Sequence, residues 1–187
     1  MRILITAFEP FGGAETNITQ SVLSLLPDSI AGWAIEKVCL PVSFMRAPIA
    51  LREAIATYSP VFVIMLGQCA AGDNIRLERF TINMMDSTKA DNDGYIPNGE
   101  TIYALQPLAL QTPLPVKELV RLCTDNVQPV QISNSAGLYV CNRVYYEALY
   151  GKQKALFIHI PKNMPINIAV NTLNAIFEYI TKSQHLN

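Results

Sequence analysis

Thiols and imidazoles set the chemistry open to this chain. It has only two histidines. His185 lies close to the carboxyl terminus, where chains fray. That leaves His159, in Phe157-Ile158-His159-Ile160-Pro161. Upstream stands Cys141, in Ser133-Asn134-Ser135-Ala136-Gly137-Leu138-Tyr139-Val140-Cys141-Asn142. Its position follows a strand-like run and a Ser/Asn/Gly turn, at the start of an amphipathic helix. A helix N-terminus favours a thiolate, and its free N–H groups can hold an oxyanion. Cys141 and His159 are therefore a candidate nucleophile and base. A plainer alternative stands beside this one. Leu138 and Val144 also suit a core cysteine, and a lone histidine in a buried strand is commonly a satisfied core residue.

Such a pair needs a third group to orient the imidazole. Glu78 stands among apolar positions in Leu77-Glu78-Arg79-Phe80, where a carboxylate must be paired. A salt bridge to Arg76 or Arg79 is the alternative explanation. Asp86 and Asp91 sit near turns and read as capping groups. Among the other thiols, Cys39 and Cys123 read as small buried hydrophobes. Cys69 follows a buried strand, where ligand sites of parallel sheets form. No Cys-x-x-Cys pair or histidine cluster suggests zinc or a disulfide frame. Asp91-x-Asp93-Gly94 lacks the later ligands of a calcium loop, and no G-x-G-x-x-G follows Phe11-Gly12-Gly13.

These residues must be carried by alternating strands and helices. Arg2–Ala7 predicts a first strand. Ile18, Val22, Leu25 and Leu26 recur at helical spacing, capped by Thr16 or Asn17 and stopped by Pro27. Trp33–Leu40 is extended, and 48–58 is helical. Val61–Leu66 is a continuous apolar run, as in a strand buried on both faces. Gly67–Asp73 reads as loop, 75–86 as extended or mixed, and Lys89–Pro115 as a long irregular stretch of functional or lid type. Val116–Asp125 predicts a helix and Gln128–Ser133 a strand. Tyr139–Tyr150 predicts a helix capped by Asn134 or Ser135. Ala155–Ile160 is a second buried strand, and Ile166–Ile180 a closing helix. This alternation implies an α/β fold with a mostly parallel sheet between helices.

At 187 residues the chain fits one domain, 1–187, with 50% apolar and only 16% charged residues. The sparse charge points to apolar surface hidden in a homo-oligomer. A net charge of −1 without basic blocks argues against nucleic acid and membrane surfaces. No run is long enough to span a bilayer, and the opening residues lack a signal-peptide pattern. The expected compartment is the cytoplasm.

Several stretches together resemble the cysteine pyroglutamyl peptidases (pyrrolidone-carboxylate peptidases). They are Ile5–Gly13, Gly67-Gln68 with Glu78-Arg79 and Ile82-Asn83, Ser133–Asn142, and Phe157–Pro161. The resemblance implies Cys141 as nucleophile, His159 as base and acid, and Glu78 as orienting carboxylate. It implies Phe8 and Phe11 around the pyroglutamyl ring, with Asn17 and Gln68 nearby. It further implies a three-layer α/β/α sandwich, a homotetramer, no metal or organic cofactor, and N-terminally pyroglutamylated peptides as substrates. The chain departs from the family pattern at Asp86-Ser87-Thr88-Lys89-Ala90-Asp91-Asn92, where Thr88 replaces an arginine. It departs again at Ala71-Gly72-Asp73 and after His159. With Thr88 there, the loop from Lys89 to Pro115 is expected to be held loosely, or by another residue such as Lys89. Two other readings stay open: a related thiol amidase with altered small-amide specificity, and a non-catalytic α/β binding module.

Overall fold

Three strands have almost no polar face to show to water: β1 (Arg2–Phe8), β4 (Phe62–Cys69) and β9 (Ala155–Pro161). Strands of this kind must be covered on both sides. The computed structural model describes residues 1–70, 72–126 and 128–183. Ala71 of the altered loop and the terminal His185 lie outside the described residues. The other strands are β2 (Ser29–Ile30), β3 (Trp33–Leu40), β5 (Ile75–Glu78), β6 (Phe80–Ile82), β7 (Ala109–Gln111) and β8 (Val130–Ser133). The helices are α1 (Ile18–Leu25), α2 (Arg46–Tyr58), α3 (Val116–Asp125), α4 (Val140–Tyr150) and α5 (Ile166–Ser183).

Among the described residues, seven strands form the central sheet in the order β2-β3-β1-β4-β9-β5-β8. β3, β1, β4 and β9 are mutually parallel. β5 runs antiparallel to β9, with β8 parallel to β5. Alternate residues of the buried strands feed two cores. On one side Ile3, Ile64 and Ile158 pack with Val22 of α1, Leu119 of α3 and Leu173 of α5. On the other side Leu4, Met65 and Phe157 pack with Leu51 of α2 and Val144 and Tyr145 of α4. The result is a three-layer α/β/α sandwich with a mostly parallel sheet.

Several boundaries differ from the sequence-based expectation, each for a local reason. α2 begins two residues early because the Ser43 hydroxyl accepts from the Met45 and Arg46 N–H groups, at 3.3 and 3.0 Å. The stretch predicted as loop from Gly67 is strand as far as Cys69, since 67–69 pair with His159–Pro161. Neither Asn134 nor Ser135 caps α4. Tyr139 is its N-cap residue, and no side chain bonds there. Cys39, expected to be buried, is exposed. β2 covers only Trp33 and Ala34, so the later half of β3 is the sheet's edge.

The long segment after β6 is neither structureless nor loosely held, and Lys89 is not its anchor. It contains β7, which pairs with β6, and a bridge between Met85 and Glu100. The buried Asp91 accepts from the Phe44, Asp93 and Tyr95 N–H groups, each at 2.9 Å. Asn92 Nδ2 donates to Glu9 Oε1 and to the Pro10 carbonyl, both at 2.9 Å. Asn83 pairs with the backbone N–H and carbonyl of Tyr103. Glu147 of α4 accepts from Arg52 of α2, from Arg143 and from the Tyr103 phenol.

Candidate active site

The carboxyl ends of β1, β4 and β9 lie side by side, so Phe8, Gln68 and His159 meet at one edge of the sheet. In open α/β sheets this edge is where ligand sites form. A cavity of about 770 Å³ opens there. One wall is aromatic, with Phe8, Phe11 and Tyr139. Asp86–Ala90 form another, and Val140, Cys141 and His159 stand at the floor. Asn17, Gln68 and Lys162 also line it.

His159 points to the α2/α4 side of the sheet, as Phe157 does. β4 makes room for both. Gly67 is the register partner of His159. A Cβ there would lie 2.5 Å from Phe157 Cε1 and 3.0 Å from His159 Cδ2. The two rings sit 4.8 Å apart between centroids. On the other side of β9, Glu78 ends β5 opposite Phe157. Its side chain shares the face of His159, and Glu78 Oε1 lies 2.8 Å from His159 Nδ1. Glu78 is 1% exposed and His159 8%. Glu78 Oε2 has no hydrogen-bond partner among the described residues.

The turn after β8 carries Cys141 to the same point. Gly137 takes φ of +79°, which suits glycine, and the Ser135 hydroxyl accepts from its N–H at 3.2 Å. Tyr139 then anchors the helix start. Its phenol donates to the Ala90 carbonyl at 2.8 Å, and its ring stands edge-on to Phe44 at 5.2 Å. Cys141 follows in the first turn of α4, half-buried and in hydrogen-bonding reach of His159. Burial alone lowers the pKa of His159. Hydrogen bonds to Cys141 and Glu78, and the charges of both, outweigh it and push the value up to about 9. The imidazole is thus held as a cation by two acidic groups, Glu78 at Nδ1 and Cys141 within hydrogen-bonding reach.

The structure brings Glu78, Cys141 and His159 together, and places Phe8, Phe11, Asn17 and Gln68 around the same cavity. Both polar atoms of Asn17, and the side-chain oxygen of Gln68, are engaged in supporting it. Asn17 Oδ1 caps α1 at the Thr19 N–H, 3.0 Å away, and Nδ2 donates to the Glu9 carbonyl. Gln68 Oε1 accepts from the Ile18 N–H at 3.1 Å. Cys69 does not line the cavity, although its neighbours Gln68 and Ala70 do. Tyr139, Val42 and Lys162 were not foreseen from the sequence. For Tyr139 the signal was available: an aromatic residue between the Gly137 turn and the cysteine.

An α/β/α sandwich with thiol, imidazole and carboxylate gathered at its sheet edge is built as a thiol hydrolase. The comparisons with known proteins narrow that class. The family model for pyroglutamyl peptidase matches residues 1–176. The chain belongs to the pyroglutamyl peptidase family. It is 39% identical to the pyrrolidone-carboxylate peptidase of Thermococcus onnurineus, over 98% of each chain. It is 35% identical to that of Thermosipho melanesiensis, over 95% of each. The pyrrolidone carboxyl peptidase structure from Thermococcus litoralis superposes with a TM-score of 0.91 at 32% identity, covering 97% of this chain and 96% of that one.

Two predictions follow from this geometry. The methyl of Gly67→Ala must displace the Phe157 and His159 rings, and overpacking of this kind costs about 1–3 kcal/mol. Denaturant unfolding should show that loss, together with slower alkylation of Cys141. Wild-type values for both would show that the rings relax freely.

The second concerns pH. Folding raises the His159 pKa from its ordinary 6.5 to about 9. The stabilisation this brings is complete below pH 6.5 and is lost as pH rises through about 9. The melting temperature should fall across that interval, and fall less in Cys141→Ser, which removes the first of the raising partners. An equal fall in both proteins would locate the cause elsewhere.

Proposed function

We propose that the chain is a cysteine exopeptidase that removes an N-terminal pyroglutamyl residue from peptides, with Cys141, His159 and Glu78 as its catalytic groups. The observation that carries this is the 2.8 Å contact between Glu78 Oε1 and His159 Nδ1, with Cys141 in hydrogen-bonding reach of the same ring at a helix start that no side chain caps. The Cys141 thiolate attacks the pyroglutamyl carbonyl. The developing oxyanion is held by backbone N–H groups of the first turn of α4, which no side chain caps. His159, already an imidazolium, gives its proton to the leaving amine. It then takes one from the water that releases the acyl-enzyme. Glu78 holds the ring's orientation and balances its charge.

Pocket and substrate match in polarity. A pyroglutamyl residue is a neutral lactam with no charged amine, and Phe8, Phe11 and Tyr139 offer an aromatic wall. Asn17 and Gln68 shape the pocket by holding the opening loop and α1. No metal or organic cofactor enters the scheme. Thr88 lines the cavity, at the position where the family resemblance implies an arginine. That supports a second reading, a related thiol amidase acting on another small amide. The compartment we assign is the cytoplasm, whose reducing conditions preserve the thiol.

We also propose self-association, as a homotetramer. Leu105, Leu108 and Ile96 of the long segment stand 103%, 83% and 52% exposed, an apolar set that a partner copy would cover. Light scattering at micromolar concentration should report a mass several times that of one chain, and a monomer alone would refute it.

A chromogenic pyroglutamyl amide, set against a panel of aminoacyl amides, tests the activity. We expect hydrolysis of the pyroglutamyl compound, none by Cys141→Ser, and a turnover in Glu78→Gln lower by roughly 10²–10⁴-fold, as when the orienting carboxylate of a triad is neutralised. Hydrolysis of another amide only would favour the second reading. Glu78→Gln with wild-type turnover per folded molecule would remove Glu78 from the mechanism.

A further inference from the structure

Asn142 follows the proposed nucleophile, in the first turn of α4, and is fully buried. Asparagine near a helix start commonly caps the helix's own N–H groups. This one turns sideways, into β6 and the residues after it. Its Oδ1 accepts from the Thr81 hydroxyl at 2.7 Å and from the Ile82 N–H at 2.9 Å. Its Nδ2 donates to the Ile82 carbonyl at 2.8 Å and to the Met84 carbonyl at 2.9 Å. A carboxamide offers two donors and two acceptor sites. All four are filled, and all by residues 81–84. The Thr81 hydroxyl is also 3.1 Å from the Asn142 backbone carbonyl.

One turn on, the same face of α4 makes a second tie to this strand segment. The Tyr145 phenol donates to the Glu78 carbonyl at 2.9 Å. The chain from 78 to 84 therefore carries the carboxylate that holds His159 and receives the helix that carries Cys141. Apolar packing alone lets a helix slide and roll by fractions of an ångström. Four directional bonds from one side chain remove that freedom. They act one residue from the sulfur.

We propose that Asn142 is a positioning residue, which acts through Cys141 by fixing the first turn of α4 against the segment that carries Glu78. Through the Met84 carbonyl it also fixes the start of the Asp86–Ala90 wall. That wall is tied to the same helix start by the Asp86 N–H, which donates to the Leu138 carbonyl at 3.1 Å. Thiol and cavity wall are thus referenced to one amide. The inference rests on Cys141 and His159 being the reacting pair.

The test compares the wild type, Asn142→Ala, Thr81→Val and Thr81→Ser. Each is assayed on the pyroglutamyl amide and by iodoacetamide alkylation of Cys141 across pH, with folding checked by circular dichroism. Misplacing a reacting atom by about 1 Å costs on the order of 10²-fold. Asn142→Ala should therefore lose roughly that factor in kcat with little change in KM, and its alkylation should slow with a displaced pH profile. Thr81→Val should fall in the same direction, and Thr81→Ser, which restores the hydroxyl, should recover.

A folded Asn142→Ala with the wild-type alkylation rate and pH profile would overturn the proposal. If that variant does not fold, the threonine pair decides, and equal kcat in Thr81→Val and Thr81→Ser overturns it. A wild type inactive on pyroglutamyl amides, yet with Cys141 alkylation that depends on Asn142, would reject the substrate and uphold the positioning role.

Discussion

A positive charge held under the edge of the sheet is the constraint on which the rest of the structure depends. His159 is almost fully buried, and burial disfavours the charged imidazole. The protein nevertheless keeps it protonated to about pH 9. Two acidic partners at hydrogen-bonding reach achieve this, and each needs its own backbone device. Glu78 reaches Nδ1 because β5 reverses direction beside β9, which sets its side chain on the His159 face, opposite the residue two positions before it. Cys141 reaches the ring because the chain turns at Gly137 and starts α4 directly above it. The rings themselves fit because residue 67 has no side chain. A protonated histidine with neither partner would give up its proton to regain stability.

Much of this was legible in the sequence. The two buried strands, the bounds of β3 and α3, and the layered α/β class follow from periodicity, since continuous apolar runs have few other uses. His159 stood out by rarity, Cys141 by its position after a turn at a helix start, and Glu78 by chemical incongruity, a carboxylate among Leu77 and Phe80. The reversal of β5 was not legible. Four residues reading Ile-Arg-Leu-Glu alternate identically in either direction, so pairing sense is a tertiary property. The exposure of Cys39 was hidden for a similar reason, since only the sheet order shows that β3 borders solvent. The helix cap was misassigned because Ser135 and Asn134 are good capping types. Here their turn is taken up with the Gly137 bend.

The long stretch after β6 shows where composition misleads. Its Asp, Asn and Gly residues read as solvated turns, and the threonine at 88 suggested a slack loop. In the fold Asn83 and Asp91 are buried, and Asn92, though exposed, is bonded back onto the opening loop. Asp91 collects three N–H groups, Asn92 clamps the opening loop through Glu9 and Pro10, and Asn83 holds Tyr103. An irregular segment satisfied in this way is as well defined as a strand, because each buried group left unpaired would cost about 1–3 kcal/mol. The bonds that hold the segment thus come from Asn83, Asp91 and Asn92 and not from position 88.

The altered residues at 86–90 stand in the cavity wall, apart from the groups that hold the charge on His159. The groups that set the charge on His159 come from β5 and the first turn of α4. The cavity wall at Thr88 and Lys89 is held by Asp91, Asn92 and the Tyr139 phenol, at a remove from that strand. The two parts of the site join through the helix start at Leu138–Asn142, which touches the wall with its backbone and aromatic ring and the strands with its buried amide. Change at that junction would therefore touch the wall and the strands together, whereas Thr88 meets the cavity from the wall alone.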